Sequence, residues 1–329
     1  MKVLGLSFGR KGQNCDILVK EALLGAQAAG AEISFINMMN LKITHCIGCG
    51  ACDRRREKGG PSRCVLKDDF PFVEDAILEA DAIVIAAPVY VLAPIGQYKN
   101  LVDRIGPSHD RSVMEKVNAE RIAVGKSGDE LLDPRLFKDR YLGLISVGGA
   151  RTEHWTSLGL PNMKLFGFSM QMRVIDEFNA YGMGDRVNPT FDEALISRMN
   201  QMGRNLAETV GTPYEEAPWF GDKPGVCPHC HGSMLTLKGG TTVECPLCGM
   251  EGTLSLVDGE LKVEFSPEQQ EHSRQRFGGV EDHRVELASI MEHVFDVLDK
   301  RGSEIPERTK KYDAIQPLDK SKFVENMKQ

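Results

Sequence analysis

The stretch Asp81-Ala82-Ile83-Val84-Ile85-Ala86-Ala87-Pro88-Val89-Tyr90 decides how this chain is read. Ala82–Ala87 is apolar at every position, which suits a strand covered on both faces in a parallel sheet. Working outward, Val3–Ser7 and Ile33–Asn37 read as two earlier strands, and Tyr141–Val147 and Met172–Phe178 as two later ones. Helical signals separate them. Asn14 is placed to cap a helix over Asp16 to about Ala29, and another runs from about Asp69 to Ala80. Phe191, Leu195, Met199, Met202 and Leu206 recur at helical spacing. Five strands alternating with helices predict a doubly wound α/β domain over residues 1–212.

The chain has 329 residues, a length that suggests roughly two domains. Hydrophobic residues at 41% and charged residues at 26% exclude a disordered or fibrous chain. A formal charge of −7 speaks against nucleic acid or an anionic membrane surface as partner. The N-terminus lacks a signal-peptide pattern, and the longest apolar run, Ala82 to Ile95, holds two prolines and is too short to span a bilayer. Nine cysteines cannot all pair, and eight fall in two tight clusters that read as metal sites in a reducing, cytoplasmic setting.

Three loops carry matching chemistry. The turn Ser7 to Cys15 joins the first strand to a helix, and such a turn can hold a phosphate on backbone N–H groups and the helix dipole. Ser7, Arg10, Gly12, Gln13, Asn14 and Cys15 are its candidate contacts, although no Gly-Lys-Ser/Thr ends it. Pro88-Val89-Tyr90-Val91-Leu92 follows the third strand, and Ser146-Val147-Gly148-Gly149-Ala150-Arg151 the fourth. In an open α/β sheet ligands bind beyond the carboxyl ends of the strands, so these loops converge on one edge.

The S-x-x-R-x-G-x-N turn, the A-D-A-I-V-I-A-A-P-V-Y segment and the Tyr98–Arg104 segment Y-K-N-L-V-D-R resemble the flavodoxin-like NADPH-dependent FMN reductases, over about residues 1–210. The resemblance implies a five-stranded parallel sheet in the order 2-1-3-4-5. It implies FMN with its phosphate in the Ser7–Cys15 turn and its ring against Pro88–Leu92 and Gly148–Arg151. It also implies a homodimer or homotetramer. Cys15 stands where the family usually has Ser or Thr, and a thiol is the weaker donor to phosphate.

The first cysteine cluster, Cys46, Cys49, Cys52 and Cys64, lies in the loop 45–65. Three thiolates two residues apart can grip one face of a cubane, with a fourth closing it, which is the logic of a [4Fe–4S] site. The cluster resembles that of the iron–sulfur flavoproteins of the same family, with a longer gap before Cys64. Zinc and plain unliganded cysteines are the other readings. The basic run Arg54–Lys58 with Arg63 reads as a solvated face, or as a docking face for an acidic carrier such as ferredoxin.

A linker over 213–225 leads to a second cluster, Cys227-x2-Cys230 and Cys245-x2-Cys248, within a module spanning 226–265. Two knuckles of this spacing predict a structural Zn2+ ribbon, with a rubredoxin-like iron as rival. His229 and His231 flank one knuckle, and hairpin turns are expected at Gly239–Gly240 and Asp258–Gly259. Residues 266–329 read as a helical tail, amphipathic over Val285–Leu298, followed from Arg301 by an extended arm.

Tyr90, His154 and Trp155 are the candidates to line the reacting face, while Asp81, Asp103 and Arg104 read as structural. The function expected is an FMN- and [4Fe–4S]-dependent oxidoreductase between a carrier (ferredoxin or NAD(P)H) and a small-molecule acceptor. The alternatives are an NAD(P)H-dependent FMN or quinone reductase without a redox cluster, and a non-enzymatic flavin-binding sensor or docking protein.

Overall fold

The structure is a computed structural model, and it describes residues 1–318. Strands β1 (Lys2–Ser7), β2 (Glu32–Asn37), β3 (Ala82–Tyr90), β5 (Tyr141–Val147) and β6 (Arg173–Ala180) form one sheet in the order β2-β1-β3-β5-β6. Every one of these pairings is parallel. The two-residue β4 (Ala93–Pro94) folds back antiparallel onto the end of β3. With β4 set aside, this is the 2-1-3-4-5 order expected.

Residues 82–87 of β3 are at most 0% exposed, as their unbroken apolarity requires. Helices cover both faces of the sheet. Helices α1 (Asn14–Ala28) and α7 (Glu193–Thr209) pack on one face with Val3, Val84 and Ile145 beneath them. They approach closely because Gly25 and Gly203 leave no side chain between the backbones: a Cβ on Gly203 would lie 1.7 Å from the Ala22 carbonyl oxygen. Helices α3 (Phe70–Glu79), α4 (Gly96–Ile105) and α5 (Arg111–Ala123) contribute to the core on the other face, around Leu4, Ile83 and Leu144.

Two helix starts differ from the sequence reading. Asn14 does not cap α1; the N-cap is Gln13, without a side-chain bond, and the Asn14 amide reaches across to the Met183 carbonyl oxygen at 3.2 Å. Phe191 lies in a short 3-10 turn before α7 and is exposed, because Asp192 caps that helix by accepting from the Leu195 N–H.

The chain then forms a four-stranded antiparallel sheet, in order β10-β9-β8-β7, from β7 (Thr236–Gly239), β8 (Thr242–Glu244), β9 (Glu251–Val257) and β10 (Glu260–Glu264). Both expected hairpins form, and Asp258 and Gly259 take the positive φ angles that a tight two-residue turn demands. Ser266 caps α8 (Pro267–Glu271), its hydroxyl accepting from the Gln269 N–H. Contacts gather Met1–Glu281 into one compact unit and Asp282 onward into a second. Within the second unit, the latter part of α9 (Phe277–Arg301) leaves Val285, Leu287, Ile290, Met291, Val294 and Leu298 exposed. Beyond it the chain forms short helical turns through Tyr312 rather than an extended arm, and residues 319–329 of that expectation lie outside the described residues.

One buried cation organises the amino ends of the sheet. The Arg140 side chain is fully buried and donates to the carbonyls of Ile77, Leu78 and Ala80, at the carboxyl end of α3, and of Arg135 and Lys138. Helix ends leave carbonyls unsatisfied, and burial without partners costs about 1–3 kcal/mol each. Replacing Arg140 with Met keeps an unbranched, flexible stem and removes every donor. Arg140→Met is therefore expected to lose about 3 kcal/mol or more of stability, read as a lowered urea midpoint with an unchanged slope.

Candidate functional site

Because the strands run the same way, the loops after β1, β2, β3 and β5 all leave one edge of the sheet. The turn after β1 is built around a residue that the sequence reading passed over. Asp16 is buried, and its carboxylate accepts from the Ser7 hydroxyl at 2.5 Å, the Gly12 N–H at 2.7 Å and the Asn37 amide at 2.7 Å. Asn37 also donates to the Gly9 carbonyl oxygen. The signal was present: an acid in the first turn of a helix, where the dipole favours it.

This network assigns parts within the turn. The Ser7 hydroxyl proton is committed to Asp16, and the Cys15 thiol packs into the core, where burial pushes its pKa up to about 12. What faces outward is backbone and cation. The α1 N-terminus has no side-chain cap, Gly12 has φ 72° with open space where a Cβ would stand, and Arg10 and Lys11 are exposed. An uncapped helix N-terminus flanked by two cations is the donor set a phosphate group requires, so the residues fit the FMN phosphate.

The loop after β3 turns sharply. Val91 and Leu92 have φ of 51° and 70°, a costly region for a β-branched residue. The turn holds Tyr90 at 59% and Val91 at 96% exposure, at the mouth of the edge. The loop after β5 is zipped to residues 182–184: the carbonyls of Gly148, Gly149 and Ala150 accept from Met183, Gly184 and Gly182. Asn14 binds the Met183 carbonyl, so the first and last of these loops are tied together. Ser146 is buried beneath α6 (Gly159–Met163), with its hydroxyl unpaired. Arg151 pairs with Asp185 at 2.5 Å, and His154 and Trp155 follow in a 3-10 turn with Trp155 exposed.

Residues 44–68 after β2 carry the first cysteine cluster, closed by a tight neck. Asp68 accepts from the Thr44 N–H and hydroxyl, and from Arg104 at 2.7 and 3.1 Å. Lys42 and Asp69 bond reciprocally, and Asn100 holds the Ile43 carbonyl oxygen. Burial raises the Asp68 carboxyl, but the donors on it outweigh that and hold it well below the usual carboxylate range. Arg104 and Asp68 thus pair with each other, as a structural reading of Arg104 expects.

The four thiols of this loop are free of disulfides, and Gly48 and Gly50 take positive φ between them. They do not converge as ligands of a single ion. Among the described residues the set that does is Cys227, Cys230, Cys245 and Cys248, all buried, with every sulfur within 4.8 Å of the others. The Cys227–Cys248 and Cys230–Cys245 sulfurs are 3.6 Å apart. Tetrahedral zinc with 2.3 Å bonds would set them about 3.8 Å apart. His229 and His231 are outside this set. His231 stacks on Trp219 at 3.9 Å, and both ring nitrogens of His229 are buried without partners.

The basic run is less uniform than expected. Along α2 (Ala51–Glu57) and just past it, Arg54, Arg55 and Lys58 are exposed, but Arg56 is buried against Asp53 and Ser62. Arg63 approaches Glu74 and Asp133. Arg121 donates to the carbonyls of Arg56 and Gly60, which draws this part of the loop into the protein.

A second residue missed in the sequence, Lys164, joins the ribbon to the α/β domain. Its buried ammonium donates to the Cys230 carbonyl oxygen at 2.6 Å and pairs with Glu177 at 2.7 Å. Beside it lies a cavity of about 310 Å³, lined by Ser157, Asn179 and Tyr181 on one side and by Asp222, His231 and Met234 on the other.

Comparison with known proteins agrees with this geometry. Residues 1–179 match the family described as NADPH-dependent FMN reductase. A flavone synthase of Aspergillus candidus is 32% identical over 298 residues, covering 87% of this chain and 88% of its own. An iron–sulfur flavoprotein of Archaeoglobus fulgidus is 32% identical over 219 residues, covering 66% of this chain and 84% of its own. Among solved structures, a flavone reductase superposes with a TM-score of 0.80 at 28% identity, covering 97% of this chain and 99% of its own. The chain belongs to the NADPH-dependent FMN reductase family and is a flavin-dependent oxidoreductase of flavodoxin-like fold.

Proposed function

We propose that this protein passes electrons through FMN between a carrier, ferredoxin or NAD(P)H, and a small-molecule acceptor, with an iron–sulfur centre in residues 44–68 as the one-electron relay. The observation that carries this reading is the shared sheet edge: the cysteine loop leaves β2 beside the loop of β1 and on the same side as those of β3 and β5. FMN, when bound, supplies the exchange between one-electron and two-electron chemistry. The chain's own part is to hold and orient. Arg10, Lys11 and the N-terminal N–H groups of α1 bind the phosphate, with Asp16 fixing the turn beneath them. Pro88–Leu92 and Gly148–Arg151 border the ring. Tyr90, His154 and Trp155 stand near its open side, and the cavity beside Ser157 and Tyr181 offers room for the acceptor.

The first cysteine set suits a cluster better than a single ion. In a cubane each thiolate binds a different iron, so ligand sulfurs stand further apart than around one metal. The ribbon sulfurs have single-ion spacing, and we assign them a structural Zn2+. A second reading, an NAD(P)H-linked reductase without a redox cluster, is favoured by one observation. The flavone synthase and flavone reductase match over 87% and 97% of this chain, well beyond the α/β domain, which points to a planar aromatic acceptor. A homo-oligomer completes the proposal, and the exposed apolar side of α9 is the surface it would cover.

Anaerobic purification with flavin, iron and zinc counts distinguishes the readings. One FMN, about four iron and one zinc per chain are expected; FMN and zinc without iron would leave the second reading. Changing Asp16 to Asn puts a donor where three donors converge. Asp16→Asn is expected to weaken FMN binding about tenfold or more, from one or two disrupted hydrogen bonds, measured by flavin fluorescence titration. Cys245→Ser combined with Cys248→Ser should abolish the zinc and loosen residues 226–265 to protease, with FMN retained; unchanged zinc would refute the ribbon assignment.

A further inference from the structure

The cavity between the ribbon and the α/β domain is one half of a longer cleft. A second cavity of about 170 Å³ lies beside it, and the two share Pro161, Lys164, Gly232, Ser233 and Met234 in their walls. The halves differ in character. The smaller is walled by Pro161 and Leu165 on the α/β side and by Met234, Pro246 and Leu247 on the ribbon side. The larger, at about 310 Å³, reaches the range of small-molecule sites, which begins near roughly 300 Å³. Charge in the larger half is already spent. Each ionised side chain on its wall has a partner: Glu153 with Lys223 at 3.3 Å, Lys164 with Glu177 at 2.7 Å, and Asp222 with Arg198 at 2.9 Å. One neutral group is left over. Glu177, Asn179 and Tyr181 follow at every second residue where β6 ends, and all three line the cavity. Asn179 Oδ1 is buried there with no hydrogen-bond partner among the described residues. A buried acceptor without a donor is costly, and the hydroxyl of a ligand would satisfy it.

The ribbon's share of the wall is set by its first knuckle. The Gly232 carbonyl oxygen accepts from the N–H groups of Val226 and Cys227 at 3.1 and 3.0 Å, which ties residues 232–234 to the metal ligands. Met234 is 46% exposed, and its unbranched thioether can close on flat rings of different outline. On the far side the cavity reaches the loop read above as bordering the flavin ring. Tyr181 precedes Gly182, whose N–H binds the Ala150 carbonyl oxygen at 2.7 Å, and Glu153 comes two residues after Arg151. We propose that the acceptor binds in this cleft as an uncharged aromatic, its apolar body against Met234 and Leu247 of the ribbon and a hydroxyl donating to Asn179 Oδ1. The inference rests on the acceptor reading given above and deepens it. Asn179 and Met234 are then specificity-determining residues, and the ribbon is a wall of the binding site as well as a folded metal module. A site that holds an unpaired acceptor for a hydroxyl discriminates against the analogue lacking it.

The test uses the full holoprotein and two probes, flavone and 4′,7-dihydroxyflavone, which carries a hydroxyl at each end of its long axis. Calorimetric titration of the oxidised protein is expected to show the dihydroxy probe binding about tenfold tighter than flavone. Asn179→Leu should remove that preference by weakening the dihydroxy probe alone. Met234→Ala should weaken both probes about fivefold and keep the preference, through lost apolar contact, with flavin and zinc contents unchanged. Equal affinity of wild type for the two probes overturns the proposal, as does no binding of either. A preference that survives in Asn179→Leu, or a Met234→Ala that binds both probes as wild type does, also overturns it. Binding in the cleft is expected to perturb the visible absorption of the flavin. The expected pattern of affinities with an unperturbed flavin spectrum would keep the binding site and overturn its assignment to the acceptor, so the two readings fail separately.

Discussion

Parallel pairing is the constraint on which the rest of this molecule depends. Once β1 lies between β2 and β3, and β5 between β3 and β6, all in the same direction, every connection must cross back over a face as a helix. The carboxyl ends are then free of crossovers and accumulate the irregular backbone. A phosphate turn, a strained hairpin, a Gly-rich loop and a cysteine loop, far apart in sequence, become neighbours without any one of them having to specify the others.

Irregular backbone at that edge and beneath it has to be satisfied inside the protein, and this chain does so with buried arginines. Arg140 caps the carbonyls at the end of α3, Arg121 takes those of Arg56 and Gly60, and Arg104 takes that of Thr44. A guanidinium carries five donors in a rigid fork, so one side chain can close several carbonyls that no strand or helix reaches. The loops thereby gain fixed positions while keeping non-repetitive shapes.

The parts legible in the sequence were those with a period or a spacing. Ala82–Ala87 announced a doubly covered strand, and the paired C-x2-C knuckles announced a single-ion site whose sulfurs do converge. The parts that were not legible depend on long-range pairing of ordinary polar residues. Asp16 looks like one more acid on a helix until Ser7, Gly12 and Asn37 meet on it. Arg56 looks like the middle of a basic run, yet burial singles it out from Arg54 and Arg55. Asn14 has the right chemistry for a helix cap and spends it on Met183 instead, because the loop after β5 brings a carbonyl within reach.

The ammonium of Lys164, lodged between the Cys230 carbonyl and the Glu177 carboxylate, has a consequence for how such a protein is assembled from parts. A metal knuckle is usually a portable module, since the ion alone supplies its folding energy. Here the knuckle carries one half of a buried polar contact and the α/β domain carries the other. Trp219, in the linker, adds an aromatic stack on His231. Grafting the ribbon onto another domain would leave the Cys230 carbonyl without its donor, and trimming it from this one would leave the Lys164 ammonium one acceptor short. The two pieces are thereby fitted to each other, and removing the ribbon uncovers Lys164 together with Glu177 on β6, the edge strand of the sheet.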